Sequence, residues 1–576
     1  MAPEQTKQED LEQKQKEVET EEEFEEEQKE IKEDDALTAE DLAKEQRNIS
    51  VSEFFEKNRH LLGYDNKIKA LLIIIKEAVD NSLDACEEAS ILPEIYVKIE
   101  EVEKEKYKLV VKDNGPGIVK EKIPDIFGRL LYGSKFHRLK QSRGQQGLGI
   151  SMAVLYSQLT TGKPSIVLSS TGSGKTHRYT IKLDVKHNQP QILESDVSTS
   201  MEWRGTQITL TCEGIYREHK QSVLEYLRET AISNPYAHIV FDSPNGRVEF
   251  QRGADELPPK PKAIQPHLHG VELGIMSRMM HQSKARSVVG FLMTEFSRVG
   301  SKTAAELLLK ANIDPKISAK RVTDDQVSAL IKAINETPLM RPPTDCLSPL
   351  GPELVKSGLK KEVSPEWVDA VTRPPAVYRG WPFQIEVGIA YGGSITEPMI
   401  MRFANRVPLL YQAGACAITK SIQETDWKRY GMNKNLEEAP VVIFVHICSV
   451  WVPFTSESKE AVASYPMIVK EIKLALQECA RKLQFYISRR FRSEEAAKKK
   501  EMFRNYSEEL AASLSNLTGM KKDEIFAILT EVAEEMYATG EIDTGADEKD
   551  GSQKKRSDEE DEPVKKREYE SGEEDV

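Results

Sequence analysis

Apolar positions along this chain switch between two periods, and the switches mark its elements. From Ile73 to Ala85 the sequence places Leu72, Ile75, Val79 and Leu83 on one helical face, with Glu77, Asn81 and Asp84 clustered on another side. Lys108 to Lys112 then reads as a strand that delivers Asp113-Asn114-Gly115-Pro116-Gly117. Gly144-Gln145-Gln146-Gly147-Leu148-Gly149 opens an apolar helix from Ile150 to Leu159. Strand periodicity returns at His177 to Leu183, where Tyr179, Ile181 and Leu183 alternate with polar residues, and at Gly205 to Leu210. Met276–Arg278, Val288–Phe296, Thr303–Leu309 and Thr323–Ile334 are helical. Phe383 to Tyr391 and Val441 to Val452 are strands, the second nearly all apolar and therefore buried on both faces. A long helical stretch is predicted from Lys459 to about Ser515, and a small helical appendage over Leu510 to Tyr537.

Length and charge change this picture in two ways. The 576 residues are too many for one core, so three or four domains are expected. Pro258 to Pro266 and Arg341-Pro342-Pro343 read as linkers. The net charge of −14 is concentrated at the ends: residues 1–47 carry −12, residues 541–576 carry −8, and the body between them carries +6. A mildly basic body with acidic, disordered tails fits a protein that meets nucleic acid. Six cysteines without a Cys-x-x-Cys pair disfavour zinc and disulfides and fit a reducing cytosol. The chain shows no signal peptide and no run of eighteen apolar residues, so it is expected to be intracellular and free of membrane.

The candidate chemistry lies in the first third. Glu77 and Asn81 put a carboxylate and a carboxamide one turn apart. Gly115 and Gly117 let the backbone approach a flat ligand beside the acidic Asp113. Amides exposed where a helix begins at Gly149 form a seat for phosphate. The spacing G-x-x-G-x-G is not the dinucleotide fingerprint, and no strand leads directly into it. A second glycine cluster, Gly172-Ser173-Gly174-Lys175-Thr176, lacks the first glycine of a P-loop and is followed by a strand, so a hairpin turn is predicted there.

In this order the three stretches resemble the nucleotide-binding boxes of the GHKL ATPases, the family of gyrase, heat-shock chaperone, mismatch-repair and histidine-kinase ATP sites. The resemblance implies ATP and Mg²⁺ as cofactors, with Glu77 as general base and Asn81 as the magnesium ligand. It implies that Asp113 accepts from the adenine amino group, that Gly115 and Gly117 make room for the base, and that Gly144, Gln145, Gln146, Gly147, Leu148, Gly149 and Ile150 meet the phosphates. Ser134 and Lys135, with the polar loop up to Arg143, correspond to the lid, and Thr206 to the last box. Lys428, between Trp427 and Tyr430, corresponds to the lysine that senses the γ-phosphate.

The order of segments narrows the resemblance to the ATPase subunits of type IIB DNA topoisomerases. The implied fold is α+β: an acidic tail (1–47), a GHKL (Bergerat) α/β sandwich (48–256), a helical helix-two-turns-helix insert (257–340), and a transducer of ribosomal-protein-like α/β fold with a long C-terminal helix (341–508). A helical appendage (509–540) and a second acidic tail (541–576) follow. The segment Ile49 to Asn58 stands where relatives carry a dimerisation strap, and Lys310, Lys316, Lys320 and Arg321 sit near the helix opened by Gly300-Ser301-Lys302, the kind of module that touches nucleic-acid backbone. Implied partners are a separate tyrosine-bearing cleavage subunit, double-stranded DNA and a second copy of this chain in an A2B2 heterotetramer. The implied location is the cytoplasm, on the nucleoid in an archaeal host, or the nucleus in a eukaryotic one. A non-catalytic DNA-break scaffold of the same fold, or another GHKL ATPase, is the alternative.

Overall fold

A computed structural model describes residues 49–538 apart from 134–137, 145–146, 200–202, 433–435 and 457. Both acidic tails lie outside the described residues. The chain falls into two compact units, one within residues 1–425 and 440–476, the other within 426–439 and 477–576.

The first unit begins with α1 (Val51–Lys57), which Ser50 caps through its side chain, and α2 (Lys67–Glu88). Helix α2 exceeds the predicted span at both ends. Asn66 starts it by accepting from the amides of Ile68 and Lys69, and no glycine or proline interrupts the turns that follow. Leu72, Ile75, Val79 and Leu83 are buried as their spacing requires. Next come β1 (Glu94–Glu103), β2 (Lys106–Asp113), α3 (Ile123–Gly128), α4 (Gly149–Thr161), β3 (Ser165–Thr171), β4 (Thr176–Asp184), β5 (Gln189–Ser198) and β6 (Arg204–Glu213). Helix α5 (Val223–Ser233), β7 (His238–Ser243) and β8 (Gly246–Phe250) follow.

The eight strands form one sheet in the order β5-β4-β3-β6-β2-β1-β7-β8, antiparallel throughout except where β1 meets β7. Strands β1 and β2 alternate buried and less buried positions, the pattern of a sheet with one face covered. Helices α2, α4 and α5 join it in a core that includes Ile74, Val97, Leu109, Val154, Ile181 and Leu227. The predicted turn at Gly172–Lys175 is the β3–β4 hairpin, with Gly172 and Gly174 at φ +84° and +74°. Lys175 is exposed there and does not line the cavity beside α2. Lys175→Ala is therefore expected to leave ATP turnover within about twofold of wild type in a phosphate-release assay, the range of an ordinary surface change.

Four helices follow, α6 (Leu273–Gln282), α7 (Val288–Glu295), α8 (Ser301–Lys310) and α9 (Asp324–Glu336); the last three lie close to the predicted spans, and α6 extends beyond Met276–Arg278 at both ends. They share their own core, built on Phe291, Phe296, Leu307, Leu308 and Leu330. A capping box at Thr323 and Gln326 starts α9. Helix α10 (Pro352–Val363), which periodicity did not single out, leads into a second sheet.

That sheet comprises β9 (Trp367–Thr372), β10 (Ala376–Tyr378), β11 (Trp381–Tyr391), β12 (Met399–Ala404), β13 (Val407–Pro408) and β14 (Val441–Ser449). Its order is β10-β11-β14-β12-β13, with β9 also paired to β11. Strand β14 lies centrally and is buried at every position, in keeping with its nearly all-apolar sequence.

The long helix differs from expectation. After α11 (Ala417–Gln423), helix α12 runs Pro466–Thr518, so it begins at Pro466 and not at Lys459. Proline suits a first helical turn because its missing N–H has no partner to lose there. Upstream, Phe454 bridges Val462 and Lys459 takes φ +55°, so these residues form a closed loop. Gly519, at φ +75°, separates α12 from α13 (Lys522–Ala538), which moves the predicted appendage boundary past Leu510. In the second unit, Lys428 is exposed on a single 3-10 turn whose Trp427 and Tyr430 are buried. All six cysteines are buried and unbridged. Among the described residues no helix is long and apolar enough to cross a membrane.

Candidate active site

A cavity of about 660 Å³ opens beside α2 and is lined entirely by residues of the first unit. Helix α2 supplies Glu77 and Asn81 one turn apart, together with Ser82 and Ala85. The Glu77 carboxylate packs against the first residue of α4: a Cβ added at Gly149 would overlap its Oε2. Only glycine lets the helix start and the carboxylate share this space. Lys76 lies 3.6 Å from Glu77 and 3.4 Å from Asp80. Burial alone would lower the Lys76 ammonium, but Glu77 and Asp80 outweigh it and the net shift is upward, so a cation is held beside Glu77.

Asp113 ends β2 and is 6 % exposed. It accepts from Ser82 Oγ at 2.8 Å, Gly115 N at 2.9 Å and Thr206 N at 3.0 Å. Burial pushes its carboxyl above the usual carboxylate range, against the pull of these three donors. A carboxylate offers about four lone-pair positions, so roughly one is left for a ligand donor. Gly117 lines the cavity at φ +75°, and a Cβ there would overlap the Ser170 carbonyl. Gly144, Gly147, Leu148, Gly149, Ile150 and Thr206 line the same space, as do Tyr132 and Gly133. Gly115 is not part of the lining, and its amide donates to Asp113. Ser134, Lys135, Gln145 and Gln146 lie outside the described residues.

Three sequence expectations differ from the structure. Arg143, expected in the lid, buries its side chain to 1 % exposure and pairs through its Nη atoms with Asp84 at 2.8 Å and Glu87 at 2.5 Å, two carboxylates of α2 that balance its charge there and not in the cavity. For the same reason Asp84 is buried, away from the wet face of α2 that holds Asn81. Lys428 belongs to the second unit and is absent from the cavity wall.

The lysine that the transducer segment does place on the wall is Lys459, in the loop between Phe454 and Val462. The loop is held by Thr455 N to Ala461 O at 2.9 Å and Lys459 N to Ser456 O at 3.1 Å. Its Glu460 pairs with Lys69 of α2, and Lys69 sits 4.9 Å from the centre of the Tyr411 ring. Pro408, Leu409, Leu410 and Tyr411 complete this wall. One signal was available: the polar run Thr455 to Lys459 between Pro453 and Pro466 is loop chemistry, not helix chemistry. Ser82 carried no comparable mark.

A one-face-covered sheet, a helix bearing Glu and Asn at one-turn spacing, and a buried Asp under a glycine turn define an ATPase of the GHKL class. The family described as "Histidine kinase-, DNA gyrase B-, and HSP90-like ATPase" matches residues 66–187, and "Topoisomerase VI B subunit, transducer" matches residues 342–499. The chain is 49 % identical to the B subunit of type 2 DNA topoisomerase 6 from Archaeoglobus fulgidus, covering 78 % of this chain and 76 % of that one. It is 44 % identical to its counterpart from Methanosarcina barkeri, over 84 % of this chain and 79 % of the relative, and 41 % identical to that from Pyrococcus horikoshii, over 88 % and 98 %. This chain belongs to the family of type 2 DNA topoisomerase 6 B subunits.

Proposed function

We propose that this chain is the ATP-binding and ATP-hydrolysing subunit of a type IIB DNA topoisomerase. The observation that carries the reading is one cavity whose wall combines Glu77 and Asn81 from α2, the oriented Asp113 carboxylate, the glycine-rich start of α4 and Lys459 from the transducer segment. A scaffold without turnover has no need of a base and a phosphate-facing cation in the same space.

In this reading the remaining lone pair of Asp113 accepts from the adenine amino group, and Gly117 and Thr206 border the base. The amides at Gly147 to Gly149 face the phosphates. Asn81 offers its carboxamide oxygen to Mg²⁺, which takes oxygen ligands, keeps several waters and needs few groups from the protein. The ion, when bound, neutralises charge that develops on the phosphates. Glu77, held beside Gly149, takes the proton of the attacking water. Lys459 supplies the cation at the γ-phosphate, the role that the sequence alone suggested for Lys428.

Two copies closing on ATP would capture a DNA duplex and pass it through a break made by a separate tyrosine-bearing cleavage subunit, in an A2B2 heterotetramer. Residues 48–256 are the ATPase part, 257–340 the helix-two-turns-helix part and 341–508 the transducer in this scheme. Copurification with a tyrosine-bearing partner, followed by ATP-dependent decatenation, tests it; a reconstituted pair that decatenates without ATP, or not at all, overturns it.

Asp113→Asn is expected to weaken ATP affinity by at least about tenfold, because Gly115 N and Thr206 N hold the carbonyl oxygen and turn the NH2 group toward the adenine amine, donor against donor. Equilibrium titration with a nucleotide analogue measures it, and unchanged affinity removes Asp113 from the adenine site.

A further inference from the structure

Between β12 and β13 the chain turns on Asn405 and Arg406, both left-handed, at φ +48° and +68°. Non-glycine residues persist in that region when surrounding contacts over-determine them, and such positions cluster at functional sites. Asn405 donates from Nδ2 to Ser449 O at 2.9 Å and to Ser142 O at 3.1 Å, and its Oδ1 accepts from Ser449 N at 2.9 Å. The Arg406 amide donates to His446 Nε2 at 2.9 Å. That acceptor role leaves the His446 proton on Nδ1, which donates to Glu386 at 2.8 Å. Burial lowers the His446 pKa further than Glu386 raises it, in keeping with a neutral ring.

The Arg406 guanidinium reaches across to α2, with Nη2 2.9 Å from Glu87 Oε2 and Nη1 3.1 Å from Tyr236 OH. The other Glu87 oxygen accepts from Arg143 Nη2 at 2.5 Å and from Tyr236 OH at 2.6 Å. Arg143 follows Ser142, the residue held by Asn405, and precedes Gly144, where the glycine run meets the cavity. Two transducer residues therefore grip both the approach to the glycine run and the helix that bears Glu77 and Asn81. Stability alone does not account for the arrangement. Arg143 and Arg406 each keep a buried Nε–H without a hydrogen-bond partner, a destabilising defect, and ion pairs this buried are often no more stable than apolar packing.

We propose that Asn405 and Arg406 are positioning residues for ATP hydrolysis, clamping Ser142 to Gly144 against α2 so that the placement of the transducer sheet is read in the phosphate-facing backbone. The proposal rests on the nucleotide reading of the cavity. It predicts a loss confined to the phosphate end, because the adenine end is held separately by Asp113, Ser82 and Thr206.

The test uses the full chain with two variants, Asn405→Gly and Arg406→Lys. Glycine is at ease at φ +48° but cannot hold Ser142, and lysine keeps the charge but lacks the planar fork whose two nitrogens meet Glu87 and Tyr236 separately. Titration calorimetry with adenosine and with a non-hydrolysable ATP analogue is paired with steady-state turnover. The expected result is adenosine affinity within about twofold of wild type, analogue affinity about tenfold weaker and kcat at least about tenfold lower, in either variant that retains adenosine binding. Equal losses for adenosine and analogue in both variants, or no loss for either ligand, overturn the proposal. If wild type binds neither ligand, the nucleotide reading itself has failed, which is a different outcome from an unchanged variant.

Discussion

Glu77→Gln will stop ATP hydrolysis and leave nucleotide binding in place. Glutamine has the shape of glutamate, so it fits against Gly149 without disturbing the start of α4. Its neutral amide cannot take a proton from water, and loss of a general base costs about 10² to 10⁴ in rate. The groups that hold the nucleotide in the proposed reading, Asp113, Thr206 and the amides around Gly147, are untouched by the change. Turnover should therefore fall by about 10² or more while analogue affinity stays within about threefold, the signature of an interaction made in the transition state. Phosphate release and equilibrium titration on the same preparation measure the two quantities. Normal hydrolysis by the variant would remove Glu77 from the mechanism.

Lys459→Ala is expected to have the next largest effect, and Lys428→Ala a small one. Lys459 stands on the wall of the cavity, in a loop whose Glu460 is tied to Lys69 of α2. In the proposed reading, a charge-assisted bond from this lysine to the γ-phosphate would be available to ATP and not to ADP, which is the differential interaction a ligand-driven change requires. Losing it should lower turnover about 10²-fold or more and weaken the preference for ATP over ADP. A non-hydrolysable analogue should dimerise the wild type and should dimerise Lys459→Ala much less. Lys428→Ala should keep turnover within about twofold, since that side chain is exposed on a turn of the other unit. Sedimentation with and without analogue reads the mass, and phosphate release reads the rate. The reverse ranking of the two variants would return the sensing role to Lys428 and break the assignment of Lys459.

Much of the site was legible because its parts are local. The helix of Glu77 and Asn81 declares itself by apolar period, the glycine turn after Asp113 by turn chemistry, and the phosphate end by glycines that open an apolar helix. The strand β14 was equally plain, since a nearly all-apolar run of strand length suits a doubly covered sheet position. The hairpin at Lys175 followed from what surrounds it, a missing glycine before and a strand after.

What the sequence could not rank were groups brought together from far apart. Lys428, beside Trp427, and Lys459, in a polar run, are both single lysines, and no local pattern says which of them faces the cavity. Folding decides it through the Phe454–Val462 bridge and the Lys69–Glu460 pair, contacts whose partners are separated along the chain. Arg143 shows the same limit. Beside a glycine run a basic residue suggests phosphate, yet Asp84 and Glu87 of α2 and Tyr236 from the turn after α5 converge on it and remove it from the cavity. Asn405 and Arg406 complete that convergence from a third. Period and turn chemistry are properties of neighbours in sequence and fix each element; which charges share a buried space depends on how the elements pack, because a buried charge settles only where the tertiary fold supplies its partners.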